Sequence, residues 1–379
     1  MKKLILGLTG ILLSFSMFAE NSAVLNPIVT TVPSLYIAPD ARAGGMGETG
    51  AATMPDGNSQ FWNASKYAFM TDKGGVSVNY TPWLSKIVSG IHLASAVGYG
   101  RIGEHNFISG SLRYFTMGEV NITMPDGSNS GVCNPYEMAL DIAYARRLAK
   151  NWSAAVTLRY VRVDFAASEY LTPANAFAAD VSVSYRQHVN IGQHKGAVGA
   201  GIVFSNLGTK ITYDGGQNMY YLPANMRIGV SFDCPIDEYN RISFSVDANK
   251  LLVPSWPQRK NYTSIEEYNE AMTKYKEESS LSAAFRSFGD SSPLEEFQEV
   301  AWGIGAEYAY DNKFMVRAGY FYENSLKGNR NFWTFGAGFN LSVFSLDASY
   351  TLANSTSPLD QTLRFTLGLN FGRLKELVY

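Results

Sequence analysis

Charge is scarce in this sequence. Lys, Arg, Asp and Glu make up 17% of its 379 residues, against roughly 25% in ordinary soluble globular chains. The formal balance is −2, and removal of Lys2 and Lys3 with a leader takes it from −2 to −4, which gives no reason to expect a nucleic-acid partner. Cysteine is confined to Cys133 and Cys234, too few for a disulfide framework. Histidine is limited to His92, His105, His188 and His194, none beside a nucleophile signature, and neither G-x-S-x-G nor H-E-x-x-H occurs. His188 and His194 alone make an incomplete metal site. Catalysis, a metal and a cofactor are therefore not expected. Beyond the first twenty residues no apolar run reaches the roughly 18 residues of a membrane-spanning helix. If the chain crosses a membrane, it does so with strands.

Aromatics, at 13%, and glycine are abundant instead. From Trp152, every second residue is apolar (Trp152, Ala154, Val156, Leu158, Tyr160), and Phe177, Ala179, Val181, Val183 and Tyr185 repeat the pattern. A period of two specifies strands, and aromatics at both ends of each apolar face match the two interfacial girdles of a membrane barrel. The same alternation recurs from Gly74 onward, for example at Ile91, Leu93, Val97 and Tyr99, and at Leu363, Phe365, Leu367 and Leu369. The count reaches about fourteen strands, an even number, with short turns and long loops alternating as periplasmic turns and extracellular loops do. That register places Cys133 in a long loop and Cys234 at a turn on the opposite rim, too far apart for a bond. The expected fold is an all-β transmembrane, antiparallel outer-membrane β-barrel.

Three segments depart from the strand pattern. Residues 1–19 read as a secretory leader, with Lys2 and Lys3 before the apolar run from Leu4 to Leu13 and a cut after Ala19. No cysteine follows the cut, so a lipid anchor is not expected. Residues 20–73 are rich in Gly, Ala, Ser and Pro, which favours tight irregular backbone able to pack inside a lumen. Leu35, Tyr36, Phe61, Trp62 and Tyr67 are too apolar for a solvated tail, so an N-terminal periplasmic hatch is expected. The barrel then occupies 74–379, interrupted at 256–299 by a helical extracellular insertion. There Ser264 and Glu267 form a capping box, Ile265, Tyr268, Met272 and Tyr275 share one face, and further helices start near Leu281 and Pro293.

Inward positions carry both signs of charge, among them Arg113, Asp141, Arg159, Asp180, Arg227, Asp247, Glu307, Arg317, Asp347 and Arg364. Mixed signs cancel a selective field, so these charges are read as structural pairs and not as a conducting pore. Met54-Pro55-Asp56-Gly57 and Met124-Pro125-Asp126-Gly127 repeat as turn signals without calcium-loop spacing. Aromatics cluster in the long loops: Met219, Tyr220 and Tyr221, then Trp256, Tyr262, Tyr268, Phe285 and Phe288. Such side chains either pack on one another or bind a partner, and both readings stay open.

A family resemblance adds to this. Ala41-Arg42-Ala43-Gly44-Gly45-Met46-Gly47, then Gly50-Ala51-Ala52, then Phe61-Trp62-Asn63-Ala64 resemble the N-terminal signature of FadL-like outer-membrane barrels, whose lumen holds a hatch. Arg42, Gly45, Gly47, Trp62 and Asn63 are the hatch positions this implies. The family's Asn-Pro-Ala stands here as Asn63-Ala64-Ser65, a departure at the residues that position a lipid-transport hatch. Over nearly the whole mature chain the pattern is most similar to the PorV family, also called LptO, of type IX secretion. That resemblance implies a non-enzymatic outer-membrane shuttle. Its extracellular loops would bind the C-terminal signal domain of secreted proteins leaving the Sov translocon barrel. It would deliver them to sortase-like PorU and the cell-surface attachment complex, which joins cargo to lipopolysaccharide. The alternative is a FadL-like transporter of hydrophobic small molecules, which needs a continuous apolar pocket where the inward positions here are mostly Ser, Gly, Asp and Arg. A hydrolase acting on lipopolysaccharide needs a lipid-facing Ser/His pair that the sequence does not supply.

Overall fold

The structure is a computed structural model that describes residues 25–123, 127–165 and 172–372. The expected leader, 1–19, and residues 124–126 of the second turn motif lie outside the described residues. The first strands are β1 (Gly74–Pro82), β2 (Ile91–Ile102) and β3 (Asn106–Met117), followed by a separate two-stranded hairpin of β4 (Val120–Thr123) and β5 (Asn129–Cys133). The wall continues through β6 (Tyr136–Arg147), β7 (Trp152–Asp164), β8 (Ala174–Ile191), β9 (His194–Gly208), β10 (Asn225–Pro235) and β11 (Asn240–Leu251). It finishes with β12 (Val300–Tyr310), β13 (Phe314–Tyr322), β14 (Asn331–Leu341), β15 (Phe344–Ala353) and β16 (Leu363–Asn370). Among the described residues, fourteen of these strands form one closed antiparallel barrel, with β1 hydrogen-bonded to β16. No described helix is long and apolar enough to cross a membrane.

Cross-strand pairs on the outer face explain the stacking of aromatics at two heights. Near the short turns Trp152 meets Tyr185 with ring centroids 4.9 Å apart, and Phe314 meets Phe339 at 4.7 Å. Near the long loops Tyr160 meets Phe177 at 5.5 Å and Tyr320 meets Trp333 at 4.7 Å. These are the girdles at the two membrane interfaces, with exposed Val156, Ile202, Val230, Ile304 and Leu346 facing lipid between them. The hairpin in the β3–β6 loop was not legible as strand, because its four- and five-residue arms carry no sustained alternation. Cys133 and Cys234 are both free.

One strand turns the opposite way from that expected. In β2 the apolar set Leu93, Val97 and Tyr99 faces the lumen, with Leu93 and Val97 buried, while Ala96 on the other face is exposed. The reason is the N-terminal segment: Tyr67 stacks on Tyr99 at 5.2 Å and on Phe107 at 6.4 Å, so this part of the lumen is itself apolar.

That segment fills the barrel, but it does not start at the periplasmic end as its assignment to a periplasmic segment implied. Residues 26–31 lie among the long loops, where Asn26 N donates to Leu326 O at 2.9 Å and Thr31 N to Tyr221 O at 3.0 Å. Ile28 packs into an apolar cluster with Tyr221, Trp256 and Tyr275, which holds the start of the chain there. The backbone then descends. Ser34 N donates to Glu137 at 3.1 Å, a short helix Ala41–Gly44 is capped by Asp40, and Gly50 N and Ala51 N both donate to Asp247 at 2.7 and 2.9 Å. Buried backbone groups must find partners, and inward-facing polar side chains of the wall supply them. Approach is closest at Gly47, whose φ of +64° and lack of a side chain let it lie against β12 and β13; a Cβ there would sit 2.5 Å from Ile304 O.

Gly319 faces Gly47, and a Cβ on it would sit 2.1 Å from Gly47 N. Gly319→Val should therefore push the N-terminal segment out of its seat and raise ion conductance in planar bilayers above that of the wild type. Ala318→Val, one residue away on the exposed outer face, should leave conductance unchanged.

Candidate functional site

Two regions bring the expected functional residues together. In the lumen, the Arg42 guanidinium bridges the N-terminal segment to the wall, bonding Asp56 at 2.8 Å, Met54 O at 2.9 Å and Glu307 at 3.1 Å. Glu307 also takes Arg317 at 2.7 Å, and Arg317 reaches Asp347 at 2.6 Å. Arg159 lies between Asp141 at 2.7 Å and Asp180 at 3.0 Å, Arg227 pairs with Asp247 at 3.3 Å, and Arg364 with Glu48 at 3.1 Å. Arg113 instead donates to the carbonyls of Ser34 and Ile37. The mixed inward charges thus neutralise one another or the enclosed backbone.

The other positions expected in a hatch also fix this segment. Gly45 abuts Gly336, where a Cβ would sit 3.0 Å from its Cα. Trp62 donates through Nε1 to Asp40 and lies under the Arg227 guanidinium at 4.7 Å. Asn63 donates to Ala51 O at 2.7 Å and Ser184 Oγ at 2.9 Å, while its own carbonyl accepts from Ser65 N at 3.1 Å. On the extracellular side of the segment a cavity of about 200 Å³ is lined by Tyr36, Ile37, Trp83, Phe115, Phe332 and Leu359, with Arg330 and Arg364 among its polar groups.

The second region is the loop surface. The insertion folds as expected into helices Ile265–Glu277, Ser280–Arg286 and Pro293–Gln298, the first with its Ser264–Glu267 capping box formed. Its aromatics divide into two groups. Tyr221, buried, and Trp256, half-buried, both expected with the candidate contact residues, pack against Tyr275, a residue legible only as part of a helix face. Tyr275 contacts Tyr221 at 5.3 Å and Trp256 at 5.0 Å, and the Tyr221 hydroxyl donates to Tyr275 O at 3.0 Å. Burial pushes the Tyr221 hydroxyl up to about 12 and raises that of Tyr275 as well. Lys210 caps the arrangement 4.0 Å above the Tyr221 ring, and its burial holds the ammonium below its usual range. Tyr262 and Tyr268 pack on each other at 5.9 Å, whereas Met219, Tyr220, Phe285 and Phe288 remain exposed. A cleft of about 120 Å³ between Val29, Met219, Tyr220, Trp256 and Met272 joins the two groups.

Charge clamps the far end of the insertion. Lys250 bonds Glu296 at 2.8 Å and Glu299 at 2.5 Å, and Lys327 bonds Glu295 at 2.6 Å and Glu299 at 3.0 Å. Asp290, Glu296 and Glu299 converge closely enough to hold a cation, but the two lysines already neutralise the cluster. No sequence signal marks these pairs, since Lys250 and Lys327 come from strands and loops far apart in the chain.

A family model described as "Type IX secretion system protein PorV" matches residues 19–259, well over half of the chain. No curated protein matches. Among solved structures, a deltaS2S3 mutant of the TodX monoaromatic hydrocarbon channel superposes with a TM-score of 0.51 at 11% identity, covering 88% of this chain and 99% of that one. The likeness shows a shared barrel fold. The Pseudomonas putida toluene transporter TodX (TM-score 0.47, 10% identity, 91% and 98% covered) and the Ralstonia pickettii toluene transporter TbuX (0.46, 11%, 88% and 98%) are also similar.

Two substitutions test the two regions. Arg317→Met leaves the Glu307 and Asp347 carboxylates facing each other without their shared cation, which should cost about 3–5 kcal/mol and lower the temperature at which the barrel loses its fast, folded migration on gels. Tyr275→Ala should leave that temperature unchanged while loosening the insertion. Loss of a buried aromatic costs about 3 kcal/mol, roughly a hundredfold in local opening, read as faster proteolysis within 256–299.

Proposed function

Because the chain belongs to the PorV family of type IX secretion proteins, we propose that it is a non-enzymatic shuttle that receives secreted proteins at its extracellular loops and does not conduct them. The observation that carries this reading is the contrast between lumen and rim. The lumen is filled by residues 33–70, cross-linked to the wall through Arg42, Asp247 and Asn63, whereas the rim exposes Phe285 and Phe288 on the folded insertion and Met219 and Tyr220 on the β9–β10 loop. A surface of exposed aromatics on a rigid support is suited to burying a partner's apolar patch. Under this reading the partner is the C-terminal signal domain of a secreted protein arriving from the Sov translocon barrel. Delivery is to sortase-like PorU and the attachment complex, with lipopolysaccharide as the acceptor.

A second reading, transport of a hydrophobic small molecule, is favoured by the aromatic-lined cavity beside Tyr36 and Trp83. Its volume of about 200 Å³ suits a molecule of one or two rings and not a polypeptide, and the hatch residues would then have to move.

The barrel, tagged in its native outer membrane and extracted in mild detergent, separates the two. Surface proteins still carrying their C-terminal domains should come down with the wild type and fall by about tenfold for Tyr220→Ala combined with Phe288→Ala, and for deletion of 256–299. A barrel recovered alone with one small apolar molecule per chain refutes the shuttle and supports the transporter.

A further inference from the structure

The insertion does more than border the barrel mouth. Its helix Ser280–Arg286 runs beside β9 and buries Ala283 and Ala284 in a cluster that takes in Phe204, Leu207 and Met226. Those three belong to the outer face of the wall. Phe204 pairs with Met226 and Leu207 with Ala179, in line with the exposed, lipid-facing Ile202, Ile228 and Val181. The insertion therefore hooks over the rim and overhangs the outside of the barrel at the height of the outer leaflet.

Beneath the overhang lies a groove of about 840 Å³. Its floor is Leu158, Phe177, Ala179 and Leu207, Leu281 reaches it from the insertion, and Lys210 and Lys276 stand at its loop end. A register shift between Ala179 and Val181 in β8 bends the wall at this point, as an extra residue in one strand does. Leu158 is 66% exposed, Phe177 64% and Leu281 61%, so the groove is continuous with the lipid-facing band and open to it. Tyr160 and Phe177 mark the extracellular girdle here. Acyl chains are thus the material in contact with the floor, and lipid headgroups are level with the lysines.

The polar end fits a phosphate. Lys210 Nζ donates to Tyr275 O at 3.2 Å and to Lys276 O at 2.8 Å and lies 4.0 Å from the Tyr221 ring, so it brings positive charge to this end while Lys276 brings free donors. Lys276 is exposed and makes one contact of 3.3 Å to Asn218. Of the acidic groups lining the groove, Glu278 is bound to Arg286 at 2.6 Å, leaving Glu277 against the two lysines.

We propose that this groove is a lipid site, holding an acyl chain of an anionic, phosphorylated lipid of the outer leaflet against Leu158, Phe177, Leu207 and Leu281, with the phosphate beside Lys276 and Lys210. The site faces the membrane and not the lumen, so it is independent of both readings of the barrel's function. It gives the insertion a fixed seat at the membrane surface.

The test uses the full chain reconstituted in phosphatidylethanolamine vesicles carrying lipid A, extracted in mild detergent and weighed by native mass spectrometry. The wild type should keep one lipid A. Ala179→Trp, which fills the floor from the lipid side, and Leu281→Lys, which places a charge over it, should each lower that occupancy by about tenfold. Lys276→Glu should lower it by about fivefold. Leu346→Trp, on the lipid-facing surface of β15, should have no effect. Because one variant alters the wall and the other the insertion, a folding failure in either leaves the other to decide. The proposal is overturned if both retain wild-type occupancy, if Leu346→Trp loses as much, if phosphatidylethanolamine is retained as firmly as lipid A, or if the groove holds a peptide.

Discussion

Closure of the sheet between β1 and β16 is the constraint on which the remaining structure depends. Six consecutive residue pairs, from Gly75 with Asn370 to Tyr80 with Phe365, join the first strand to the last. In hydrocarbon an unpaired backbone edge has no water to satisfy it, so only a closed sheet gives each strand two bonded neighbours. Closure also divides the side chains into an outer apolar set and an inner set that must find partners within the lumen. Almost everything inside follows from that second requirement.

The inner set is met by the chain's own N-terminal segment. Asp247 accepts two consecutive backbone N–H groups at Gly50 and Ala51 while holding Arg227. Glu307 serves Arg42 from the segment and Arg317 from the wall. Buried charge of this kind is costly to desolvate, and removing one partner is more costly still. Segment and wall are therefore specified together: the glycines at 47 and 319 permit the approach, and the ion pairs fix its register. Where β2 and β3 contribute Tyr99 and Phe107 instead of charge, Tyr67 and Met70 supply the matching apolar surface.

At the extracellular rim the same economy of partners applies to aromatics. Tyr275 packs against Tyr221 and Trp256 and unites three separate stretches of chain: the β9–β10 loop, the insertion and, through Ile28, the N-terminal segment. Lys250 and Lys327 hold the other end, so the insertion is tied to the barrel at two separated points and presents a surface of fixed shape to the membrane and to partners.

Much of this was legible in the sequence because a strand's period of two is local. The alternation located all fourteen barrel strands, the girdles, the alternation of short turns and long loops, and the inward positions of Arg159, Asp180, Glu307 and Arg317. The capping box at Ser264 and Glu267 located the first helix of the insertion for the same reason: its partners are three residues apart. What the sequence could not decide is what depends on residues distant in the chain. The inward turn of the apolar face of β2 depends on Tyr67, the packing of Tyr221 and Trp256 on Tyr275, and the extracellular start of the N-terminal segment on contacts from Asn26 to Leu326 and from Thr31 to Tyr221. Periodicity states which residues share a face, but only the neighbour that covers a face decides whether it meets lipid, lumen or another loop, and that neighbour is chosen by tertiary packing.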